Sequence, residues 1–188
     1  MDNGASSYRR FREKGDNEGL AEIIKDYKDG MIFYLNSFVN NVHTAEELAI
    51  NTFVLLGTKK PKDNGKGSFK TWLYTIARNQ ALDYLRKQKR QKANEVSLDD
   101  IKDIIKDENS LEISYIKKEE KITLHKAMRK LKPEYKEVLW LIYFEDLSCK
   151  EVALMLKKSV HNIETLVYRA RNSLKSELTK EGFTYENL

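Results

Sequence analysis

The stretch CKEVALMLKKSVHNIETLVY, residues 149–168, decides the fold because its pattern predicts a helix-turn-helix. That motif needs apolar residues where its two helices cross and one small residue where they touch. The apolar positions are Val152, Leu156, Ile163 and Leu166, and the small one is Ala153. An ordinary buried pair of helices has a similar pattern, so this stretch alone leaves both interpretations open.

Capping residues stand at the start of both predicted helices. Ser148 precedes the first helix and Glu151 follows three residues later, which is the sequence of a capping box. Ser159 is placed to cap the second helix. The turn between them carries Lys157 where this motif usually has glycine, and a left-handed non-glycine residue costs about 1 kcal/mol. We expect the motif to form despite that cost.

The second helix has one apolar face and one polar face that becomes basic towards its end. His161, Asn162 and Thr165 lie in its first turns, the part of a recognition helix that reaches base edges in the major groove. Asparagine can bond adenine in a bidentate manner, and threonine can touch a thymine methyl group. The remaining residues predicted to face DNA, most of them at phosphates, are Lys136, Lys150, Ser159, Glu164, Tyr168, Arg169, Arg171 and Lys175.

Length and composition limit the classes of protein that this chain can belong to. The 188 residues can form one large domain or two small ones, and the net charge of +5 indicates nucleic-acid binding only if it is concentrated in patches. The single cysteine, Cys149, excludes an internal disulfide framework. The N-terminal residues lack the apolar core of a signal peptide, and no stretch has the roughly 20 apolar residues of a membrane span. We therefore expect an intracellular protein.

Helical periodicity dominates the whole chain and predicts an all-α fold of two small domains. Apolar residues at helical spacing predict a helix over 20–39, and the capping-box sequence at Thr44–Glu47 predicts another that runs to Leu56. Residues 57–68, with three glycines and four lysines, predict a loop, after which Ser68 caps a helix with a basic end.

After that helix, the balance of charged residues changes from basic to acidic. Residues 95–112 carry seven acidic and two basic residues, which predicts an acidic linker with one weak helix at most. Helices resume near Ile116, and Pro133 marks the first turn of the helix that leads into the helix-turn-helix. The predicted division is a helical domain over 1–93, a linker over 94–118 and a helix-turn-helix domain over 119–188.

Three quoted stretches carry a resemblance to a known family. They are AEELAINTFVLL (45–56), FKTWLYTIARNQALDYLRKQKR (69–90) and LKPEYKEVLWLIYFEDLSCKEVALMLKKSVHNIETLVYRARNSLK (131–175). In this order they resemble regions 2 and 4 of sigma factors of the bacterial sigma-70 family, of the small extracytoplasmic-function type. The resemblance implies a protein without catalytic activity or cofactor. Such a protein binds the clamp and flap of core RNA polymerase and directs the polymerase to promoter DNA.

Region 4 of the family reads the −35 element as duplex, and region 2 captures the −10 element on a separated strand. Unstacking a base costs a few kcal/mol, which aromatic stacking and a basic groove can offset. In the family the loop before the second signature helix shapes a pocket for a flipped base. The residues expected at the −10 element are Lys66, Ser68, Phe69, Trp72, Asn79, Asp83, Arg86 and Arg90. For Phe69 and Trp72 a place in the core is an equally good interpretation.

The family's clamp-binding helix corresponds to residues 44–56, where the resemblance assigns polymerase contact to Glu47, Ile50 and Asn51. Two of these depart from the family pattern, since Ile50 replaces glutamine and Asn51 replaces a frequent glutamate. Glu164 and Leu166 stand where the family often has basic residues, which puts the usual −35 sequence in question but not DNA binding itself.

Three alternatives to this function stay open. One is a helix-turn-helix repressor that acts without polymerase, and a second is a polymerase-binding module that does not read promoters. An enzyme acting on nucleic acid is the third, but the sequence shows no metal cluster, catalytic constellation or phosphate-cradling loop. We expect no metal and no small-molecule substrate, and a cytoplasmic location with nucleoid association in use. Anti-sigma factors are common partners in this family, but the sequence identifies none.

Overall fold

The computed structural model describes residues 3–63, 65–94 and 119–182, and within these ranges it contains helices and no strand. The all-α fold predicted from the sequence is confirmed. The helices are α1 (Asn3–Lys14), α2 (Asn17–Val39), α3 (Val42–Lys59), α4 (Phe69–Asn94), α5 (Glu119–Arg129), α6 (Pro133–Tyr143), α7 (Cys149–Leu156) and α8 (Val160–Lys180).

The first four helices pack around one apolar core. Met31, Leu35 and Tyr34 of α2 are fully buried, as are Leu56 of α3 and Leu73 of α4. Burial of such side chains contributes about 1.5–3 kcal/mol each, so this core holds the helices together.

Helix α1 was missed in the sequence and packs on α2 and on the start of α4. A Cβ atom on Gly19 would lie 2.4 Å from the carbonyl oxygen of Ser7, so glycine at this position lets α1 and α2 touch.

Helix ends agree with the sequence at most positions and differ at α3. Ser68 accepts a hydrogen bond from the backbone N–H of Thr71 at 3.3 Å, which confirms it as the cap of α4. Helix α3 starts at Val42, because the side chain of Asn41 accepts from the backbone N–H of Thr44 at 2.9 Å. The capping box predicted at Thr44–Glu47 is therefore wrong: asparagine is as good a cap as threonine, and it stands three residues earlier.

The helix-turn-helix forms as predicted from α7 and α8. Ser148 and Glu151 make both bonds of the capping box, and Ser159 accepts from the backbone N–H of Asn162 at 3.1 Å. Lys157 has the left-handed conformation, with φ of 54°. Ala153 and Ile163 are buried where the helices cross.

Helices α6 and α7 pack against α2 and α4, so the two halves of the chain touch. The predicted acidic linker, with its weak helix, lies outside the described residues. The boundaries 1–93, 94–118 and 119–188 stay a prediction.

Candidate nucleic-acid interface

The first turns of α8 present polar side chains to solvent. His161 and Asn162 are exposed, Thr165 is half-buried beside them, and Glu164 is exposed on the same end of the helix. Leu166 is partly buried against the core, so the residue that replaces a basic side chain of the family packs inward. This end of α8 therefore exposes an amide, an imidazole and a carboxylate to solvent, with a half-buried hydroxyl beside them.

The later turns of α8 carry the residues predicted to bind phosphates. Arg169, Arg171 and Lys175 are exposed, and Tyr168 is 68% exposed. Lys150 at the start of α7 is also exposed. These side chains are open to a DNA backbone.

Lys136 is the exception among the residues predicted to bind DNA in the second half of the chain. Its side chain is 7% exposed and lines a narrow cavity between α2, α5 and α6. The predicted contact of Lys136 with the DNA backbone does not fit this arrangement of the helices. The burial of Lys136 could not be predicted from the sequence, because a lysine in α6 gives no local sign that a second group of helices packs over it.

Helix α4 presents a polar stripe that the sequence predicted. Asn79, Asp83, Arg86 and Arg90 are exposed at spacings of four, three and four residues, so they share one face. Arg86 donates to Asp83 at 2.9 Å, which neutralises part of the charge in the middle of the stripe.

The aromatic residues at the start of α4 have different degrees of exposure. Phe69 is 2% exposed and packs against Tyr8 and Tyr27, so the core interpretation holds for it and its ring is not available to a base. Trp72 is half-buried, with its ring centroid 5.1 Å from that of Tyr8.

The lysine-rich loop before α4 is held at both ends. The hydroxyl of Tyr8 donates to the carbonyl oxygen of Pro61 at 2.5 Å, and Ser68 donates to Glu151 at 2.6 Å. Gly65 has φ of 65°, and its backbone N–H donates to the carboxylate of Asp63 at 2.9 Å. Lys66 is exposed at the tip, next to the start of α4.

Helix α3 carries an exposed face that includes all three residues predicted to contact polymerase. Glu47 and Asn51 are exposed, Ile50 is 57% exposed, and Val54 is 52% exposed one turn further on. Val54 was not among the residues predicted to contact polymerase, although its spacing of four residues from Ile50 places both on one face. Ile50 and Val54 thus form a small apolar patch within an otherwise polar exposed face of α3.

A second apolar surface lies between α5, α6 and α8, as a groove of about 610 Å³. Tyr143, Phe144 and Tyr168 are exposed along it, and Arg171 and Lys175 stand at its edge. The sequence did not reveal this groove, because its walls come from three helices.

Three glutamates of the second half of the chain contact the first half at α2 and α4. None of these contacts was predicted from the sequence. Glu137 accepts from Arg78 at 2.6 Å and from Tyr34 at 3.1 Å, and its side chain is buried. Such a pair costs desolvation on both sides, which the extra hydrogen bond from Tyr34 helps to offset.

Glu145 accepts from the hydroxyl of Tyr74 at 2.7 Å and pairs with Lys70 at 2.9 Å. Gly30 of α2 makes room for this contact, since a Cβ atom there would lie 2.8 Å from the hydroxyl of Tyr74 and 3.0 Å from the Glu145 carboxylate.

Glu151 both caps α7 and accepts from Ser68 and Thr71 of the first half. Burial, the largest influence on this carboxyl, favours its neutral form. The hydrogen bonds from Ser68, Ser148 and Thr71 outweigh it, so the pKa of Glu151 is below its ordinary value. Glu151 is thus charged at neutral pH.

The three histidines and the cysteine are not gathered into a metal site. No group of three or more metal-ligating side chains occurs within the described ranges. Among the same residues, no helix is long and apolar enough to cross a membrane.

Two known protein families match the chain, one in each half. Sigma-70 region 2 matches residues 23–91, and Sigma-70, region 4 matches residues 121–174. The first match includes the exposed faces of α3 and α4, and the second includes the helix-turn-helix.

Several curated proteins are similar over most of their length. RNA polymerase sigma factor YlaC of Bacillus subtilis is 30% identical over 170 residues, which are 87% of this chain and 94% of YlaC. ECF RNA polymerase sigma factor SigM of the same organism is 32% identical over 160 residues, or 84% and 93% of the two chains.

Two solved structures share the fold. Sigma factor RpoE, in complex with anti-sigma factor NepR from Bartonella quintana, has a TM-score of 0.67 at 22% identity and covers 85% of this chain and 96% of its own. CnrH, in complex with the cytosolic domain of CnrY, has a TM-score of 0.63 at 18% identity, with coverage of 95% and 96%. With both regions matched in family order and relatives aligned nearly end to end, the chain belongs to the sigma-70 family of RNA polymerase sigma factors, in its extracytoplasmic-function group.

Proposed function

We propose that this sigma factor binds core RNA polymerase, reads the −35 element with α8 and the −10 element with α4, and promotes opening of the promoter. The observation that carries this proposal is the presence, in one chain, of two separate exposed polar helix faces in region 4 and region 2. A helix-turn-helix repressor would need only the first of them. The protein itself carries out no covalent step.

At the −35 element, Asn162 and Thr165 contact base edges while Arg169 and Arg171 hold phosphates. The exposure of the first two near the start of α8 supports this division, because a recognition helix enters the groove with that end. Glu164 accepts from a cytosine amino group, the base contact that suits a carboxylate. A −35 element with cytosine at that position is therefore expected.

At the −10 element, the stripe from Asn79 to Arg90 and the loop tip at Lys66 hold the separated strand. Trp72 is the aromatic residue at the start of α4 that keeps partial exposure, so it takes the stacking role in place of Phe69. Arginine and lysine next to an aromatic ring suit single-stranded nucleic acid, because they combine phosphate binding with base stacking.

Two apolar surfaces serve polymerase binding. The face of Glu47, Ile50, Asn51 and Val54 on α3 meets the clamp, and the groove between α5, α6 and α8 takes an apolar helix of the flap. Exposed aliphatic and aromatic side chains in each support this assignment, since burying them on a partner is favourable. The protein acts in the cytoplasm.

An anti-sigma factor is a further proposed partner. RpoE and CnrH, which share this fold, were both solved in complex with a partner protein, an anti-sigma factor in the case of RpoE. Such a partner could occupy the same apolar groove in region 4, and the polymerase flap could then not bind there.

Run-off transcription with purified core polymerase on a library of genomic fragments tests the proposal. We expect specific transcripts that require both core polymerase and this protein. Asn162→Ala should change which promoters are used, and Lys25→Ala, at an exposed residue of α2, should not. Tight binding to an operator by the isolated protein, with no transcripts from the mixture, would instead establish the polymerase-independent repressor.

A further inference from the structure

A narrow cavity of about 40 Å³ lies where the two halves of the chain meet. Its walls come from α2 and the start of α3 on one side, and from α5 and α6 on the other. That volume has room for about three water molecules, so the cavity suits a small ion and is too small for a base or a sugar ring. The polar lining residues that matter most are Asn36, Asn41, His125, Arg129, Lys136 and Trp140.

The lining of this cavity is basic. Lys136 of α6 is 7% exposed, and burial of an ammonium group costs free energy that a neighbouring anion offsets. Arg129 of α5 is exposed and makes no ion pair with any residue that the structure describes. Among the described residues that line the cavity, none is an aspartate or a glutamate. The cavity therefore has positive charge on the side of the second half.

The acidic side chains around the cavity have partners outside it. Glu137, next to Lys136 in α6, accepts from Arg78 of α4 at 2.6 Å. Asp29 and Glu46 line a neighbouring hollow that shares part of one wall with the cavity. Each of these two lies close to a basic residue of its own helix, a lysine at 3.9 Å and a histidine at 3.8 Å. The charges of Lys136 and Arg129 are thus not balanced from within the cavity.

Two helix ends meet beside the cavity, and their partial charges oppose each other. Helix α2 ends at Val39 and α3 begins at Val42. The C-terminus of a helix carries about half a negative charge and the N-terminus about half a positive one, so the two largely cancel here. The side chains, and not the helix ends, therefore decide the sign of the charge that the cavity accepts.

Trp140 supplies a hydrogen-bond donor in the same place. It lines the cavity and is 6% exposed, and its buried Nε1 has no hydrogen-bond partner among the residues that the structure describes. An indole N–H can only donate, so the partner that it lacks is an acceptor. Phe144 stacks on the Trp140 ring with a centroid distance of 4.4 Å, which holds the donor in position. Native proteins pair nearly all such buried groups, so this one indicates a bound acceptor.

We propose that the cavity binds a small oxyanion, either inorganic phosphate or the phosphate group of a metabolite. Lys136 and Arg129 provide the charge, Trp140 donates through Nε1, and the amide of Asn41 contributes from the first half of the chain. Hydrogen bonds from charged donors to oxyanions are the strong ones, and a guanidinium group suits them by its planar geometry.

A bound anion stabilises the arrangement in which the two halves touch, because its ligands come from both of them. The second half must leave α2 before Lys136 becomes accessible, and the anion opposes that movement. This goes beyond the proposed function, since it concerns the free protein and a ligand that promoter recognition does not use.

The indole signals of the full-length protein test the proposal. The chain has two tryptophans, so its ¹H–¹⁵N spectrum has two indole N–H signals, which Trp72→Phe assigns. Sodium phosphate is titrated at constant ionic strength against sodium chloride. We expect the Trp140 indole proton to move downfield and reach saturation, because its N–H gains an anionic acceptor, while the Trp72 signal stays in place.

Glycerol 3-phosphate, titrated in the same way, distinguishes the two sources of the anion. Saturation by inorganic phosphate alone would assign the free ion, and tighter binding of glycerol 3-phosphate would assign a phosphorylated metabolite. Equal shifts in phosphate and chloride, or a shift that grows without saturation, would overturn the proposal.

One variant from each half, with a matched control, tests whether the anion bridges the halves. Arg129→Gln should raise the dissociation constant for phosphate about tenfold, and Lys126→Gln, at an exposed position of the same helix outside the cavity, should not. Asn41→Asp keeps the cap of α3, because aspartate caps as well as asparagine, but places a carboxylate at the cavity. It should weaken phosphate binding by a similar factor.

Asn17→Asp is the control for Asn41→Asp, since it adds the same charge at the exposed start of α2. It should bind phosphate as the wild type does. Wild-type affinity in both Arg129→Gln and Asn41→Asp would overturn the site, and an effect of Arg129→Gln alone would overturn its place between the halves. All these measurements use the free protein, so their failure leaves the proposed function in transcription untouched.

Discussion

Lys157 shows how a single residue sets the turn between the two DNA-binding helices. Its backbone is left-handed, with φ of 54°, and its N–H donates to the carbonyl oxygens of Ala153 and Leu154. Glycine has no Cβ atom to strain in that conformation. We expect Lys157→Gly to raise the free energy of unfolding by about 1 kcal/mol, measured by urea denaturation.

Lys158 provides the control for that substitution. It is the next residue along the turn, and its φ is not positive. Lys158→Gly should leave stability unchanged or lower it, because glycine there only adds freedom to the unfolded chain. Equal stabilisation by both glycines would mean that strain at Lys157 is not the cause.

Asn162 and Arg171 are both exposed on α8 but should have different effects on DNA binding. Asn162→Ala should cost about 1–3 kcal/mol at one or two base pairs and relax specificity there. Arg171→Ala should weaken binding to all sequences alike and flatten its salt dependence, because a phosphate contact carries no sequence information.

Competition binding of the holoenzyme to promoters with single −35 substitutions distinguishes the two effects. Circular dichroism of each variant is the control, because a melted helix would imitate either one. A uniform loss from Asn162→Ala, together with base-specific losses from Arg171→Ala, would contradict the division of roles along α8.

At the scale of the elements, the sequence predicted those helices that carry a local signal. The capping box at Ser148 and the glycine-rich loop before Ser68 act within a few residues, so they can be found without knowing the fold. Helix α1 has few apolar residues, and its burial depends on Gly4 and Gly19 meeting other elements closely. Those contacts are invisible in the sequence, and so the helix was missed.

Helix α4 has two functional faces, which a sequence pattern does not distinguish. Thr71, Tyr74 and Arg78 point to region 4, whereas the stripe that starts at Asn79 is exposed. We expect Asn79→Ala to reduce the permanganate reactivity of unpaired thymines in the open complex while leaving −35 binding intact. The reason is that, under the proposed function, its side chain would act only after a base has left the stack.

A template with a pre-melted −10 bubble is the control for Asn79→Ala. It should restore part of the activity, because the cost of unpairing has already been met. An unchanged permanganate signal on the duplex promoter would show that this stripe does not hold the separated strand.

At the scale of the whole molecule, the exposure of most predicted site residues was foreseeable, but the contact between the two halves of the chain was not. Tyr34 and Glu137, which are hydrogen-bonded, are 103 residues apart in the sequence. No local pattern connects residues so distant, and a glutamate within an amphipathic helix is usually solvated. The burial of Lys136 has the same origin, since the helices that cover it come from both halves.

We expect the contacts of Glu137 to keep Lys136 covered, because they hold the second half of the chain against α2 and α4. Glu137→Gln removes the charge that pairs with Arg78, whose side chain is 21% exposed, and leaves that guanidinium without its counterion. Breaking one partner of a buried pair costs about 3 kcal/mol, which should favour separation of the two halves. We expect Lys136 to become more reactive towards an amine-specific reagent, detected by mass spectrometry of the modified peptide.

Trp140 gives an independent signal for the same separation. It is 6% exposed, and its ring centroid lies 6.4 Å from that of Phe33 in α2. Its fluorescence should shift to longer wavelength in Glu137→Gln, measured in a Trp72→Phe background that removes the other tryptophan. Glu134→Gln, at an exposed position of the same helix, should change neither signal. If Lys136 reacted equally in the wild type and in Glu137→Gln, the contacts of Glu137 would not be what keeps it covered. The DNA contact predicted for Lys136 would then depend on some other movement of region 4.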